Sequence, residues 1–501
     1  MFTLKDFIEL FKENSILTSA ECDENSPIGF ISYNSKDLKT DTLFFCKGAH
    51  FKEQFLLDAL GNGATAYVSE KKYNTDAPCI LVSDIRKSMY LSANFFYNNA
   101  WEKLKLIGIT GTKGKSTTAY FIKYILDDYL KENGGKESGL ASTLEIFDGV
   151  VREESTLTTP EPFELHSHFS NAVQSGTEYF TMEVSSQALK YGRTENIRFK
   201  IGCYLNIGID HISANEHPDF EDYFNSKMKL FSQCDTAVIN LDSDRSEKVV
   251  EFSKNAEKVI TFSTLKTDAD IYGYNIHKDG SNTVFTVKTP YFEDEITLSM
   301  PGLFNVSNAL CAIGVCVALG IDYNHIKAGL LKAKTSGRME IYESKNKKIA
   351  VIVDYAHNKL SFENIFESVK KEYPDRPVSI LFGCPGNKAI IRRKDMGEVS
   401  GKLADYIYIT EDDPAEENIA DICKEIAVHV ENAGGKGKYK IIHDRASAIK
   451  TAIEDVTDTA VVILAGKGAE TRQKRGLNSE PYESDAVLAK RYLKEYDERQ
   501  V

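Results

Sequence analysis

The segment that most constrains this chain is Leu106-Ile107-Gly108-Ile109-Thr110, followed at once by Gly111-Thr112-Lys113-Gly114-Lys115-Ser116 and a helical run from Ser116 to Leu130. An apolar run of strand length, a glycine-bearing turn and a helix, in that order, form the unit that wraps a phosphate. Gly111 and Gly114 let the backbone turn tightly, Lys115 offers a charge to the terminal phosphates, and Ser116 offers a hydroxyl to Mg²⁺. The helix N-terminus adds a partial positive charge. A strict phosphate-loop pattern asks for glycine at 109, where this chain has Ile109, so the match is incomplete. The strand before it and the helix after it favour nucleotide binding over a turn that merely carries glycines.

A chain of 501 residues exceeds one compact core, and ordinary domain sizes make three domains the best division. Residues 1–104 mix strand-like runs (Thr42 to Phe45, Ala66 to Val68) with a helical stretch from Glu53 to Leu60. A second unit, 105–336, opens on the phosphate loop, adds strands at Tyr179 to Val184 and Thr236 to Asn240, and ends after a helix around Asn305 to Leu319. In 337–501, strand-like runs at Ile349 to Tyr355, Val378 to Gly383, Tyr406 to Thr410, Lys440 to His443 and Ala460 to Ala465 alternate with helical ones. That alternation predicts a mostly parallel sheet with helices on both faces, so the fold class is α/β, three units in series.

A net charge of -13 argues against a general nucleic-acid binder, whose affinity comes from clustered Lys and Arg. The nine cysteines lack Cys-x-x-Cys spacing and read as reduced, mostly small core residues. No apolar stretch approaches the ~20 residues that cross a bilayer, so a cytoplasmic protein without membrane insertion is expected.

Three further features stand near the loop in chemistry. Glu183 ends a strand-like run, and Asp210-His211 follows the apolar run Cys203 to Ile209; ligands gather at such carboxyl ends. A carboxylate and an imidazole beside a phosphate loop can hold Mg²⁺, although a solvated glutamate and a capping Asp-His pair are the plain alternative. Lys227, within Tyr223 to Phe231, reads by composition alone as a surface lysine on a helix.

Taken together, these segments resemble the Mur ligases, over nearly the whole chain. The matches are Gly111 to Thr117, Leu157-Thr158-Thr159-Pro160-Glu161, Glu183-Val184-Ser185-Ser186, Asn305-Val306-Ser307-Asn308, Gly337-Arg338-Met339-Glu340, Asp354-Tyr355-Ala356-His357 and Gly466-Lys467-Gly468. The resemblance implies an N-terminal UDP-substrate domain, a central ATP-binding domain and a C-terminal Rossmann-like domain that takes the incoming amino acid. It makes Gly111, Thr112, Lys113, Gly114, Lys115, Ser116 and Thr117 the triphosphate loop, with Lys115, Glu183, His211 and Lys227 catalytic. Asn305 and Asn308 would face adenine, Arg338 and Asp354 the ribose, and His357 the phosphates. Ser116, Glu183, His211 and Lys227 become ligands of Mg²⁺, two ions in all, with Lys227 carboxylated on its nitrogen by CO₂. This reverses the surface reading of Lys227: a carbamate turns a repelling cation into an anionic oxygen ligand, at the cost of deprotonating an amine of pKa about 10.4.

For the nucleotide-sugar substrate, the resemblance points to Ser35, Thr158, Thr159, Ser185 and Arg193, with Lys36 where arginine is commoner. Gln187 replaces a histidine, Tyr191 a substrate-contacting glutamine, and Ala469 another histidine. The implied reaction joins an amino acid to the D-glutamate side chain of UDP-N-acetylmuramoyl-L-alanyl-D-glutamate through an acyl phosphate, by a monomer that consumes ATP. The amino acid is read by Asp412-Asp413-Pro414-Ala415, with Gly466 and Glu470 at its amino and carboxyl end. Members using meso-diaminopimelate carry arginine at the position of Ala415, suited to a second carboxylate. The acidic pair suits the lone ammonium of L-lysine instead. Lys388, where a further arginine is common, leaves diaminopimelate, ornithine and another diamine open. A folylpolyglutamate synthase and a nucleotide-gated binding module are the rival functions.

Overall fold

The computed structural model describes residues 2–48, 51–213, 216–280, 282–302, 304–335, 337–476 and 478–499. The first hundred residues build a five-stranded sheet in the order Leu17–Glu21, Cys79–Val82, Ala64–Ser69, Thr42–Phe45, Phe30–Ser32, parallel except for the first pair. The helix Leu4–Glu13 places Leu4, Phe7 and Phe11 at one-turn spacing, and that apolar stripe is buried on the sheet. Phe163 from the following unit packs edge-on against Phe45, ring centres 4.9 Å apart.

The central sheet has eleven strands, and Lys105–Thr110 lies inside it between Tyr179–Glu183 and Phe199–Tyr204, parallel to both. Its strand is apolar on both faces because helices cover both. On one side pack Lys115–Glu132 and Asn305–Ala318, the latter apolar all round and buried along nearly its whole length. Helix Tyr323–Lys332 comes so close to Lys115–Glu132 that a Cβ on Gly329 would lie 2.5 Å from the Ile125 Cα. One edge ends in the antiparallel meander Ile271–Asp279, Asn282–Lys288, Glu293–Leu298; the other ends in the hairpin Glu145–Phe147, Arg152–Glu154.

The C-terminal sheet runs Glu340–Glu343, Ile349–Asp354, Ala460–Ala465, Val378–Phe382, Tyr406–Ile409, Tyr439–Ile441, with only the first pair antiparallel. The last of these strands in chain order, Ala460–Ala465, enters between Ile349–Asp354 and Val378–Phe382, so a crevice opens at their carboxyl ends. Arg445 fixes that end: it is fully buried, forks onto Asp485 at 2.9 and 2.6 Å, and donates to the Ala465 and Glu411 carbonyls. Removing one partner of such a buried pair costs about 3–5 kcal/mol.

The α/β class and the parallel C-terminal sheet match expectation, and the anticipated strands lie within a few residues of the observed ones. Ser336, where the sequence suggests a boundary, lies outside the described residues. All nine cysteines are free, eight of them buried. Two readings are corrected. The apolar run Cys203 to Ile209 is strand only to Tyr204, and Gly208 to His211 then turn away as a loop, with Ile209 exposed. Lys227 is not on a surface: its helix, Phe220–Met228, turns it inward and leaves it 2% exposed. Among the described residues no helix is long and apolar enough to cross a membrane.

Candidate active site between the central and C-terminal units

The phosphate loop is held by its own backbone and by the next strand's end. Gly114 caps the helix Lys115–Glu132 at φ 86°, a left-handed conformation that favours glycine, and a Cβ there would meet Asn308 Oδ1 at 2.2 Å. Thr112 N donates to the Asn206 carbonyl at 3.0 Å and Lys113 N to Asn206 Oδ1 at 2.8 Å. Lys115 Nζ folds over the loop onto the Gly111 and Thr112 carbonyls at 2.8 and 3.3 Å. Burial pushes the Lys113 ammonium down to about 7, with Arg392, Lys115 and Arg338 adding repulsion against the help of Asp210.

Glu183 stands at the carboxyl end of its strand, 1% exposed rather than solvated. Its Oε1 accepts from Ser116 Oγ and Thr143 N, each at 2.8 Å, and its Oε2 from Thr143 Oγ1 at 3.2 Å. His211, half-exposed at φ 57°, pairs its Nδ1 with Glu216 Oε1 at 2.8 Å. Lys227 lies behind the loop: Nζ donates to the Gly111 carbonyl at 3.1 Å and sits 4.5 Å from the Tyr223 ring centre. Burial, then the Lys115 charge, holds this amine well below its ordinary pKa.

Facing the loop is a cavity of about 340 Å³ whose walls come from both units. Thr112 to Thr117, Glu183, His211, Asn305, Asn308, Arg338, Asp354 and His357 all line it, as does Thr158. Asn308 Nδ2 donates to Asn305 Oδ1 at 3.1 Å, and Asn305 Nδ2 to the Pro301 carbonyl at 2.6 Å. Asp354 accepts from Met339 N and Ala356 N at 2.9 and 2.7 Å; burial nonetheless raises its carboxyl, while Arg338 opposes that rise. Burial and the Lys113 and Arg392 charges hold His357 neutral, its Nδ1 2.6 Å from the Tyr355 carbonyl.

Sequence reasoning missed the clasp that joins the two walls. Asp210, 6% exposed, accepts from Asn358 Nδ2 and from Arg392 Nη2, the latter at 3.1 Å. Burial raises its pKa, but the Arg392 and Lys113 charges prevail and hold it well below the usual carboxylate range. Asn358 directly follows the segment ending in His357, which was a signal; nothing local marks Arg392, which comes from the helix Ile391–Leu403.

The segment Asp412 to Ala415 follows the end of the strand Tyr406–Ile409. Lys467, fully buried, reaches Asp413 Oδ1 at 2.9 Å and Glu470 Oε2 at 2.5 Å. A Cβ on Gly466, φ 110°, would meet Asp412 Oδ2 at 2.8 Å, so this glycine lets the loop approach that carboxylate. Burial raises the carboxyls of both Asp412 and Glu470 while Lys467 lowers them. Pro414 is buried, and Ala415, at φ 52°, is clasped by the hairpin Arg472–Arg475, Asn478–Pro481: its N donates to the Lys474 carbonyl at 3.2 Å and its carbonyl accepts from Gly476 N at 2.7 Å. Burial and Glu470 together push the hydroxyl of Tyr355 up, linking this group to the cavity wall.

Of the remaining candidates, Thr159 Oγ1 donates to the Glu183 carbonyl at 3.0 Å and accepts from Ser185 N at 3.0 Å. Arg193 Nη1 donates to the Thr159 carbonyl at 3.0 Å. Thr158 Oγ1 accepts from Thr143 at 3.1 Å. Ser35 does not join this group; it lies in the N-terminal unit, its carbonyl accepting from Asn62 Nδ2 at 3.2 Å.

Family models match in chain order: the Mur ligase middle domain over residues 109–316, and the Mur ligase, glutamate ligase domain over 337–468. The chain is 38% identical over 497 residues to the UDP-N-acetylmuramoyl-L-alanyl-D-glutamate--L-lysine ligase of Enterococcus faecalis, spanning 98% of this chain and 96% of that protein. This chain belongs to the Mur ligase family. A Streptococcus thermophilus protein of the same name is 37% identical over 92% of each chain. Among solved structures, a UDP-N-acetylmuramoyl-L-alanyl-D-glutamate--2,6-diaminopimelate ligase shares the fold of this Mur ligase, with TM-score 0.63, 22% identity and coverage of 98% and 99%. The Mur ligase is thus matched on both sides of its cavity: the phosphate loop falls in the middle-domain match, Arg338 and Asp354 in the C-terminal one.

Proposed function

We propose that this Mur ligase adds L-lysine to the D-glutamate side-chain carboxylate of UDP-N-acetylmuramoyl-L-alanyl-D-glutamate at the expense of ATP. The observation that carries the choice of lysine is the charge of the amino-acid loop. Asp412, Asp413 and Glu470 surround the single ammonium of Lys467, and Ala415 brings no guanidinium. That excess of carboxylate suits an added distal ammonium and repels a distal carboxylate. Relatives of 36–38% identity carrying the lysine name support the same reading.

In this reading residues 1–104 hold the UDP-muramoyl moiety, with Ser35 near the uridine; 105–336 hold ATP; and 337–501 bring the amino acid. The substrate carboxylate takes the γ-phosphoryl group of ATP, ADP departs, and the lysine α-amine displaces phosphate from the acyl phosphate. Lys115 and the loop amides stabilise the charge that moves, while Thr158, Thr159, Ser185 and Arg193 orient the acceptor. Asn305 and Asn308 hold the base, Arg338 and Asp354 the ribose, and His357, kept neutral, stands beside the phosphates.

The donors suit Mg²⁺: Ser116 Oγ and Glu183 are hard oxygens on the cavity wall, His211 faces the same space, and the buried Lys227 amine is already biased toward the neutral form that reacts with CO₂. Bound there by Ser116, Glu183, His211 and the Lys227 carbamate, Mg²⁺ would neutralise phosphate charge. We infer a cytoplasmic monomer with no nucleic-acid partner. Phosphate release should require ATP, the UDP-dipeptide and L-lysine together; release indifferent to either acceptor would overturn the reading.

A further inference from the structure

A second cavity, of about 150 Å³, lies where the N-terminal unit meets the central one, and its polar walls are mostly cationic: Lys47, Arg86 and Arg193 against Glu161. Arg193 comes from the turn after the short helix Ser186–Lys190, and Tyr191 caps that helix. Lys47 and Arg86 come from the other unit, Arg86 from the first turn of the helix Ile85–Phe96. Glu161 is shared, its Oε1 2.7 Å from Lys47 Nζ and 2.8 Å from Arg193 Nη2. The nearby Glu164 is engaged by the Tyr33 hydroxyl. Even with both carboxylates counted, a positive charge is left over. Arg193 Nε is buried and, among the described residues, without a partner.

Arg86 is the unusual member. Its guanidinium carbon lies 3.8 Å from the Tyr191 ring centre, and among the described residues its N–H groups have neither a hydrogen-bond acceptor nor an ion pair. A guanidinium on an aromatic face is held in orientation while its edge N–H groups stay free for a bidentate oxyanion.

We propose that Arg86, laid on Tyr191, forms with Lys47 and Arg193 an oxyanion subsite that fixes the nucleotide-sugar peptide across the seam between the two units. It deepens the substrate reading above and rests on it. The path from this subsite to the reacting atoms is short: Arg193 to the Thr159 carbonyl, Thr159 Oγ1 to the Glu183 carbonyl, and Glu183 to Ser116. A group held here therefore belongs to the molecule whose other end meets the phosphate loop. Two oxyanions of that substrate qualify, the free α-carboxylate of its glutamate and its pyrophosphate.

Calorimetric titration of the full chain and of Arg86→Gln separates them. The ligands are UDP-N-acetylmuramoyl-L-alanyl-D-glutamate, its glutamyl α-carboxamide and UDP-N-acetylglucosamine. Arg86→Gln should weaken the UDP-dipeptide about tenfold, Arg86→Lys less, and Tyr191→Leu in the same direction, with melting temperature and ATP affinity unchanged. A loss that vanishes with the carboxamide assigns the carboxylate; a loss retained with all three ligands assigns the pyrophosphate. Arg86→Gln binding all three as the parent does would overturn the subsite. A parent chain that binds no UDP-dipeptide would overturn the substrate reading and the subsite together.

Discussion

Arg338 of the C-terminal unit donates through Nη2 to Ser116 Oγ, 3.2 Å away, at the start of the phosphate-loop helix. The same guanidinium lies 4.6 Å from the Tyr355 ring centre, so its direction is set from its own unit. Two further sets of contacts cross between the units: Asp210 receives Arg392 and Asn358, and Glu372 receives Gly302 N at 3.1 Å and the Lys278 ammonium at 3.0 Å. In the proposed reading, Arg338 therefore serves both nucleotide binding and the docking of the two units.

Arg338→Ala should raise the KM for ATP tenfold or more, the worth of one charged hydrogen bond, and leave UDP-dipeptide affinity near its parent value. Small-angle scattering should show the parent chain more compact with ATP and UDP-dipeptide than without them. Identical profiles in the two states would count against ligand-driven docking.

Lys227 carries a chemical prediction. Lys227→Ala should lose activity by orders of magnitude, and short carboxylic acids such as acetate should restore part of it by supplying the missing oxygen ligand. Full activity of the variant in bicarbonate-free buffer would contradict the carbamate.

The Lys113 ammonium, lowered to about 7 chiefly by burial, gives ATP binding a pH signature. Polyphosphate favours the charged form, so binding above about pH 7 takes up a proton and weakens as pH rises. Titrations at pH 8 in buffers of different ionisation enthalpy measure that uptake. Because the folded state holds fewer protons here than the unfolded chain from about pH 7 up to the ordinary lysine value, this group's contribution to stability rises with pH across that window.

How much of this was legible in the sequence depends on the range of the interaction. The phosphate loop is local: an apolar strand, two glycines and a helix start are adjacent, and the structure brings Lys113, Lys115 and Ser116 to one cavity wall. Lys227 was illegible by composition because its burial is decided by packing: Lys229 two residues on reads the same, yet only Lys227 points at Gly111. The Asp210–Arg392 clasp spans two units and leaves no local trace. The paired strands Arg472–Arg475 and Asn478–Pro481 hid as well, since Arg472 to Arg475 is too charged to read as a strand; its partner strand and the loop of Ala415 hold it instead.

The central claim is the choice of amino acid, and a ligase assay offering L-lysine, meso-diaminopimelate and L-ornithine separately with one UDP-dipeptide tests it most directly. L-Lysine should give the highest kcat/KM, and Ala415→Arg should shift preference toward meso-diaminopimelate. A clear preference of the parent chain for meso-diaminopimelate would contradict the account.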